Sequence, residues 1–244
     1  NFNLEGFNMD KLRNNKLKYL FRNVVLFYGV QCSGKSTQLG KIYNIDSQQN
    51  GHDLCISFQN TPNNVTVPYI NFNSNKNNIP ALSIPLNTIG MVRTLKRFSR
   101  KFFNVRHVLI DECQAINFEF CYQVVYSLNR LYPNTTIIMA GTNNNNEQDN
   151  SVSRIKKFCM ASVHFKHKCF FCNNTANYSI IVAENSKVFK NYDSLKQYEK
   201  RNKLGRMQYR ALPVCSKHFK LKELSKPYIN TIYKLYNERS KNYK

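Results

Sequence analysis

Residues 23–40 read NVVLFYGVQCSGKSTQLG: a short apolar run, a loop bounded by Gly29 and Gly34, then a stretch able to open a helix. An apolar strand that turns through glycines into a helix belongs to layered α/β folds, in which parallel strands are buried on both faces. The loop satisfies G-x-x-x-x-G-K-[ST] from Gly29 to Ser36. Its glycines let backbone N–H groups face phosphate oxygens, and the N-terminus of the next helix adds a favourable dipole. In that setting Lys35 reaches the β- and γ-phosphates and Ser36 holds Mg²⁺. A nucleoside triphosphate site follows from motif and context together.

Strand and helix signals alternate from there to about residue 142. HDLCISF reads as the next strand, and LNTIGMVRTLKRFSRKFF sets Leu86, Ile89, Val92, Leu95, Phe98 and Phe102 at helical intervals. VRHVLIDE (Val105 to Glu112) is a strand ending in two acids. CYQVVYSLNRLY places Cys121, Val124, Val125, Leu128 and Leu131 on one helical face, and TTIIMAG (Thr135 to Gly141) closes the series as a strand. The expected fold class is α/β, a P-loop domain whose mainly parallel sheet is flanked by helices. Asp111 and Glu112 stand where open α/β sheets place their ligands. In a P-loop protein one such acid orients Mg²⁺ and a second offers a general base; the competing role is to cap the next helix.

The formal net charge is +22. A basic surface attracts polyphosphates and nucleic acid. Lys, Asn, Ile, Phe and Tyr are enriched together, however, and the basic residues are scattered, so compositional drift explains the charge better than selected nucleic-acid binding does. Nucleic acid stands as a possible partner on charge alone. No run approaches the ~18–20 apolar residues of a membrane span, so no membrane partner is expected. The opening residues carry no apolar segment of a secretory signal, which points to a cytoplasmic chain.

Without an export signal, the eight cysteines suggest metal ligation or buried thiols before disulfides. Cys169-x-x-Cys172 and Cys215-x-x-His218 are two short-spaced pairs closing the ends of a long excursion, which suits tetrahedral structural Zn²⁺. A local rival is present in HFKHKCFFC, where His164 and His167 lie beside Cys169 and Cys172. The paired arrangement is the expected one. The chain divides into an N-terminal extension (1–22), a nucleotide-binding α/β domain (23–160), a zinc-binding lasso domain (161–222) and a basic C-terminal tail (223–244), for which helix and loose segment are both open. Asn-rich patches such as FNSNKNN and TNNNNEQDNS are expected as loops.

In this order, the glycine loop, IDECQ, IIMAGT and the two ligand pairs resemble the type II thymidine kinases, the zinc-lasso deoxynucleoside kinases. GVQCSGKST is similar to that family's loop, with Cys32 where Met or Phe often falls. Asp111, Glu112, Cys113 and Gln114 match D-E-x-Q, and Ala140 and Gly141 match the start of A-G-L-D. Cys169, Cys172 and Ala176 match the cysteine segment, Tyr178 lies close to an aromatic found in some members, and Gly205 and Tyr209 precede Cys215 as in the family. The likeness runs over residues 23–219.

The resemblance implies ATP, Mg²⁺ and structural Zn²⁺ as cofactors and a deoxynucleoside such as thymidine as substrate. It implies Glu112 as the general base, with Gly29, Ser33, Gly34, Lys35, Ser36, Thr37, Asp111 and Gln114 on the ATP–Mg²⁺ side. Phe118 and Tyr209 are the implied nucleoside contacts, and Cys169, Cys172, Cys215 and His218 the metal ligands. A dimer or tetramer and a lasso folding over the base are also implied. Departures fall on the nucleoside side. Ala115 and Ile116 follow D-E-x-Q where aromatics are usual, AGTNNNNEQ replaces A-G-L-D-x-x-F, and Tyr209 precedes Cys215 by six residues. Two other readings share the loop: a degenerate kinase fold reused for binding, and a P-loop motor ATPase.

Overall fold

In the computed structural model the described residues are 14–45, 52–59, 69–70, 79–100, 102, 104–143, 151–205 and 207–241. Most of the N-terminal extension (1–13) and most of the two Asn-rich loops (71–78 and 144–150) lie outside them.

The apolar runs form a six-stranded parallel sheet from β1 (Val24–Gly29), β2 (His52–Gln59), β5 (Leu82–Pro85), β6 (Val105–Ile110), β7 (Thr136–Thr142) and β8 (Ala161–Phe165). The order is β5-β2-β6-β7-β1-β8. A two-residue antiparallel pair, β3 (Tyr69–Ile70) with β4 (Ile79–Pro80), precedes β5. Every crossover between consecutive sheet strands from β5 onward is helical: α3 (Thr88–Ser99), α4 (Phe118–Leu131) and α5 (Ser151–Phe158). α2 (Lys35–Ile45) leaves β1 toward β2, whereas α5 leads from β7 past β1 to β8, so the two connections depart in opposite directions. Such a divergence opens a crevice at the carboxyl ends of the strands.

Asparagine, read as loop-forming in bulk, has specific work at helix starts. Asn87, Asn117 and Asn191 accept hydrogen bonds from Gly90, Phe120 and Ser194 amides at the starts of α3, α4 and α6 (Tyr192–Arg201). Each satisfies a donor that has no partner within its own helix.

The face expected for α4 is the one it buries: Cys121, Val124, Val125 and Leu128 are fully enclosed. That of α3 differs. Ile89 is 72% exposed, and Met91 and Leu95 are the buried pair, with Phe98 and Phe102 packed beside them. A series at strict i+3 falls about 60° short of a full turn at each step and so walks around the helix; alternating steps of four and three, as in 91, 95, 98 and 102, stay on one side.

The excursion between the two ligand pairs is not an open lasso. It folds as an antiparallel sheet, β10-β9-β11, from β9 (Tyr178–Ala183), β10 (Val188–Phe189) and β11 (Tyr209–Val214), with α6 between β10 and β11. Period-two alternation gives this sheet two apolar faces. Ile180, Val182, Leu212 and Val214 pack with Ile229 and Ile232 of α7 (Lys226–Lys241), while Ile181 and Ala183 pack with Leu195 of α6 and Met207. The basic C-terminal segment is therefore a docked helix. Residues 161–165, expected to open the cysteine-bearing unit, first add β8 to the large sheet. At the N-terminus, α1 (Asn14–Leu20) packs its buried Leu17 into the main core with Phe21. Among the described residues no helix is long and apolar enough to cross a membrane.

Candidate functional site: a phosphate loop seated on a Cys/His unit

Gly29 ends β1 with φ 155°, and a Cβ there would lie 2.4 Å from the Phe165 carbonyl oxygen of β8. Only glycine permits that approach. The loop then runs through Cys32, itself left-handed (φ 63°), to Lys35 at the first position of α2. Lys35 is 7% exposed, and its ammonium donates to the carbonyl oxygens of Val30 (2.8 Å) and Gly29 (3.2 Å) and to the Ser33 hydroxyl (3.3 Å). Burial pulls its pKa down, and the nearby Glu112 and Asp111 carboxylates oppose that shift. Ser33, Gly34, Ser36 and Thr37 complete the turn onto α2, whose first amides lack partners within the helix.

β1 and β6 are next-but-one neighbours with β7 between them, so their ends stand two strand spacings, roughly 10 Å, apart. That gap faces the loop on one side and two acids on the other. Asp111 Oδ1 accepts the Glu112 amide at 2.9 Å, and the Ser36 side chain lies near enough to favour the charged carboxylate. Burial pushes the Asp111 pKa up; the nearby Ser36 side chain works against the shift and the Glu112 charge adds to it. Ser36 and Asp111 thus form one oxygen pair of the type that binds Mg²⁺.

Glu112 is exposed and sits in the left-handed region at φ 55°, ψ 41°, a conformation uncommon for a non-glycine residue and concentrated at functional sites. Its Oε2 accepts from the Gln114 amide nitrogen, and Gln114 Oε1 accepts the Thr142 amide at 2.9 Å. Gln114 therefore ties the exposed acid to the end of β7. Sequence reasoning placed Gln114 beside the cofactor without its reason, which is this bridge between two strand ends.

Gly141 has a packing role in the same corner. A Cβ there would meet Cys113 Sγ at 2.5 Å and Val152 Cγ2 at 2.6 Å, with Gln114 Oε1 at 3.3 Å. Gly141→Ala is expected to destabilise the chain by about 1–3 kcal/mol through overpacking, read as a lower denaturant midpoint. An unchanged midpoint would show that the turn carrying Cys113 and Gln114 moves freely.

The two expected nucleoside contacts are placed differently from the loop residues. Phe118 is 4% exposed and stacks on Phe21 at 5.8 Å, with the Arg154 guanidinium 4.3 Å above its ring, so it is a core residue. Tyr209 starts β11 opposite Ala183 and packs on the cluster of Ile181, Leu195 and Met207.

Cys169, Cys172, Cys215 and His218 converge, with all four candidate ligand atoms within 4.8 Å of one another. His218 Nδ1 lies 3.4 Å from Cys169 Sγ, 3.7 Å from Cys172 Sγ and 3.3 Å from Cys215 Sγ, and the Cys172 and Cys215 sulfurs are 3.8 Å apart. A tetrahedral ion with Zn–S and Zn–N bond lengths sets edges of about 3.8 Å between sulfurs and about 3.5 Å from sulfur to nitrogen. The cluster fits such an ion.

Cys169 N–H to Asn174 C=O closes the first knuckle on itself, and Phe170 N–H to Pro213 C=O fastens it to the strand that leads into the second. The local rival set does not assemble. His164 stacks on Tyr28 in β1 at 4.8 Å, and His167 Nδ1 contacts the Lys168 carbonyl.

Two contacts had no signature in the sequence. The Gln31 amide in the phosphate loop donates to Ser179 Oγ of β9 at 2.9 Å, and the Cys32 thiol lies 3.6 Å from the Ala211 carbonyl of β11. The sheet that carries the metal knuckles therefore rests against the phosphate loop. Beside this junction a cleft of about 480 Å³ opens between Cys32, Lys168, Phe171, Pro213 and Tyr228.

No family model matches the chain, nor does any curated protein. Among solved structures, a similarity exists to one titled "Crystal structure of Pif1 helicase from Candida albicans". It has 16% identity and a TM-score of 0.36, and covers 63% of this chain and 38% of that one, a likeness too slight to assign fold or function. What stands on the chain's own residues is a P-loop nucleotide-binding architecture with a Cys₃His cluster able to hold a metal ion.

Proposed function

We propose that the chain is an ATP-dependent phosphotransferase of the thymidine-kinase kind, moving the γ-phosphoryl group to a deoxynucleoside 5′-hydroxyl. The observation that carries this reading is the division of labour between adjacent acids. Asp111 is half-buried beside Ser36, while Glu112 is exposed and oriented by Gln114.

In the reaction Glu112 takes the proton of the 5′-hydroxyl as that oxygen bonds to the γ-phosphorus. The bond from the γ-phosphorus to the β,γ-bridging oxygen breaks, and ADP leaves with that oxygen. Lys35 turns from the Gly29 and Val30 carbonyls toward the phosphates. Ser36 and Asp111 would hold Mg²⁺, which would supply positive charge against the phosphates. Cys169, Cys172, Cys215 and His218 would hold Zn²⁺, which would supply structural cross-linking of the two knuckles.

The test is incubation with ATP, Mg²⁺ and either thymidine or deoxyuridine. Equimolar ADP and nucleoside 5′-monophosphate are expected. ATP binding without either product would overturn the kinase reading while leaving the nucleotide site in place. ATP hydrolysis stimulated by nucleic acid, with no nucleoside product, would assign a motor instead. Core burial of Phe118 favours one second reading, a nucleotide-binding protein of this fold without the nucleoside acceptor.

A further inference from the structure

The phosphate loop is held from outside its own strand and helix, at Gln31 and at Cys32. Ser179, which accepts the Gln31 amide, is 5% exposed, so its hydroxyl is an enclosed acceptor placed by the fold. Its strand position ties it to the metal unit by a short path. Ser179 pairs with Pro213 in the β9–β11 ladder, Pro213 C=O accepts the Phe170 amide inside the first Cys-x-x-Cys, and Cys215 follows two residues on. The second loop contact comes from the same sheet, since Ala211 pairs with Ile181.

From this geometry we infer that Ser179 is a positioning residue of the nucleotide site, through which the metal-anchored sheet holds the phosphate loop in its binding shape. The inference rests on the reading of the loop as a triphosphate site and does not depend on the acceptor. A phosphate loop works by presenting several backbone N–H groups at once, so its affinity depends on how much of that order exists before the ligand arrives. Tying the Gln31 amide to β9 fixes the loop just ahead of Ser33 and Gly34. Without the hydroxyl, ordering the loop becomes a cost of binding.

The experiment measures Mg²⁺–ATP affinity, metal content per chain and thermal midpoint for wild type and for Ser179→Ala, Ser179→Thr and Ser179→Val. The last two side chains share a shape and differ in the hydroxyl. Ser179→Ala is expected to weaken ATP about three- to tenfold, the range of one hydrogen bond, with metal content unchanged and faster hydrogen exchange in the peptide containing Gln31. Ser179→Thr should bind ATP more tightly than Ser179→Val by a similar factor. Equal ATP affinities for the Thr and Val variants would overturn the proposal even if Ser179→Ala fails to fold. So would a folded Ser179→Ala with wild-type affinity. A wild-type chain that binds no ATP would instead remove the nucleotide reading on which the inference stands.

Discussion

Glu112→Gln should lower phosphoryl transfer to the nucleoside by about 10²–10⁴-fold, the usual worth of a positioned general base, with ATP affinity near that of wild type. The substitution is nearly isosteric, and its side-chain oxygen can still accept from Gln114, so the turn and its left-handed residue have no reason to rearrange. What disappears is a group able to take the proton. The contrast with Lys35→Ala makes the prediction specific. Lys35 is buried against the loop carbonyls and faces both acids, so its loss should weaken ATP binding as well as turnover. The measurement is the nucleoside-dependent rate of ADP release at saturating ATP. A Glu112→Gln rate equal to wild type would exclude Glu112 as the base and turn attention to the acceptor side.

Cys215→Ser should reduce bound metal from about one ion per chain to near zero. The same change should drop the melting temperature by on the order of 10 °C, since structural zinc sites contribute several kcal/mol or more to folding. Cys215 is 4% exposed and lies at the junction of β11 with the 3-10 turn that carries His218, so it links the ladder to the second knuckle. His167→Ala is the control. Its ring lies outside the cluster, so metal content should be unchanged, and loss of metal there would revive the local ligand set.

Acid should release the metal as well. The His218 backbone N–H, and then its ring, bring the Cys215 thiol from its ordinary 9.0 down to about 6. A depressed thiol pKa favours the folded knuckle fully above the unfolded value, and that contribution is lost as pH falls through about 6. Protons compete with the metal in the same direction. Bound metal should therefore fall on titration from pH 8 into acid, and a metal content that does not change with pH would contradict thiolate ligation.

The legible parts of this protein are those set by local chemistry. A glycine loop between an apolar strand and a helix start, two acids ending VRHVLI, and two short-spaced ligand pairs each announce themselves within a few residues. They reappear as β1–α2, the end of β6 and a four-ligand cluster. The face of α4 was equally plain because its apolar residues alternate steps of three and four. That of α3 was legible in part: Val92, Leu95, Phe98 and Phe102 pack on the core, while the equal steps of three put Leu86 and Ile89 on the exposed side. Phe118 shows the limit for a single aromatic. In sequence it stands close to the acids, yet its position at the start of α4 points the ring into the core against Phe21.

By itself the sequence determined that a strand feeds a phosphate loop, that two acids end another strand, and that four ligands are spaced for a metal. Those properties depend on residue type and spacing along one short segment. Only the tertiary structure decided that Asp111 lies beside Ser36 while Gln114 holds Glu112, that residues 178–214 form a sheet with two covered faces, and that Ser179 meets Gln31. Each of these joins positions far apart in the chain or turns on which way a side chain faces. Such contacts are set by strand order and packing, which no local pattern encodes.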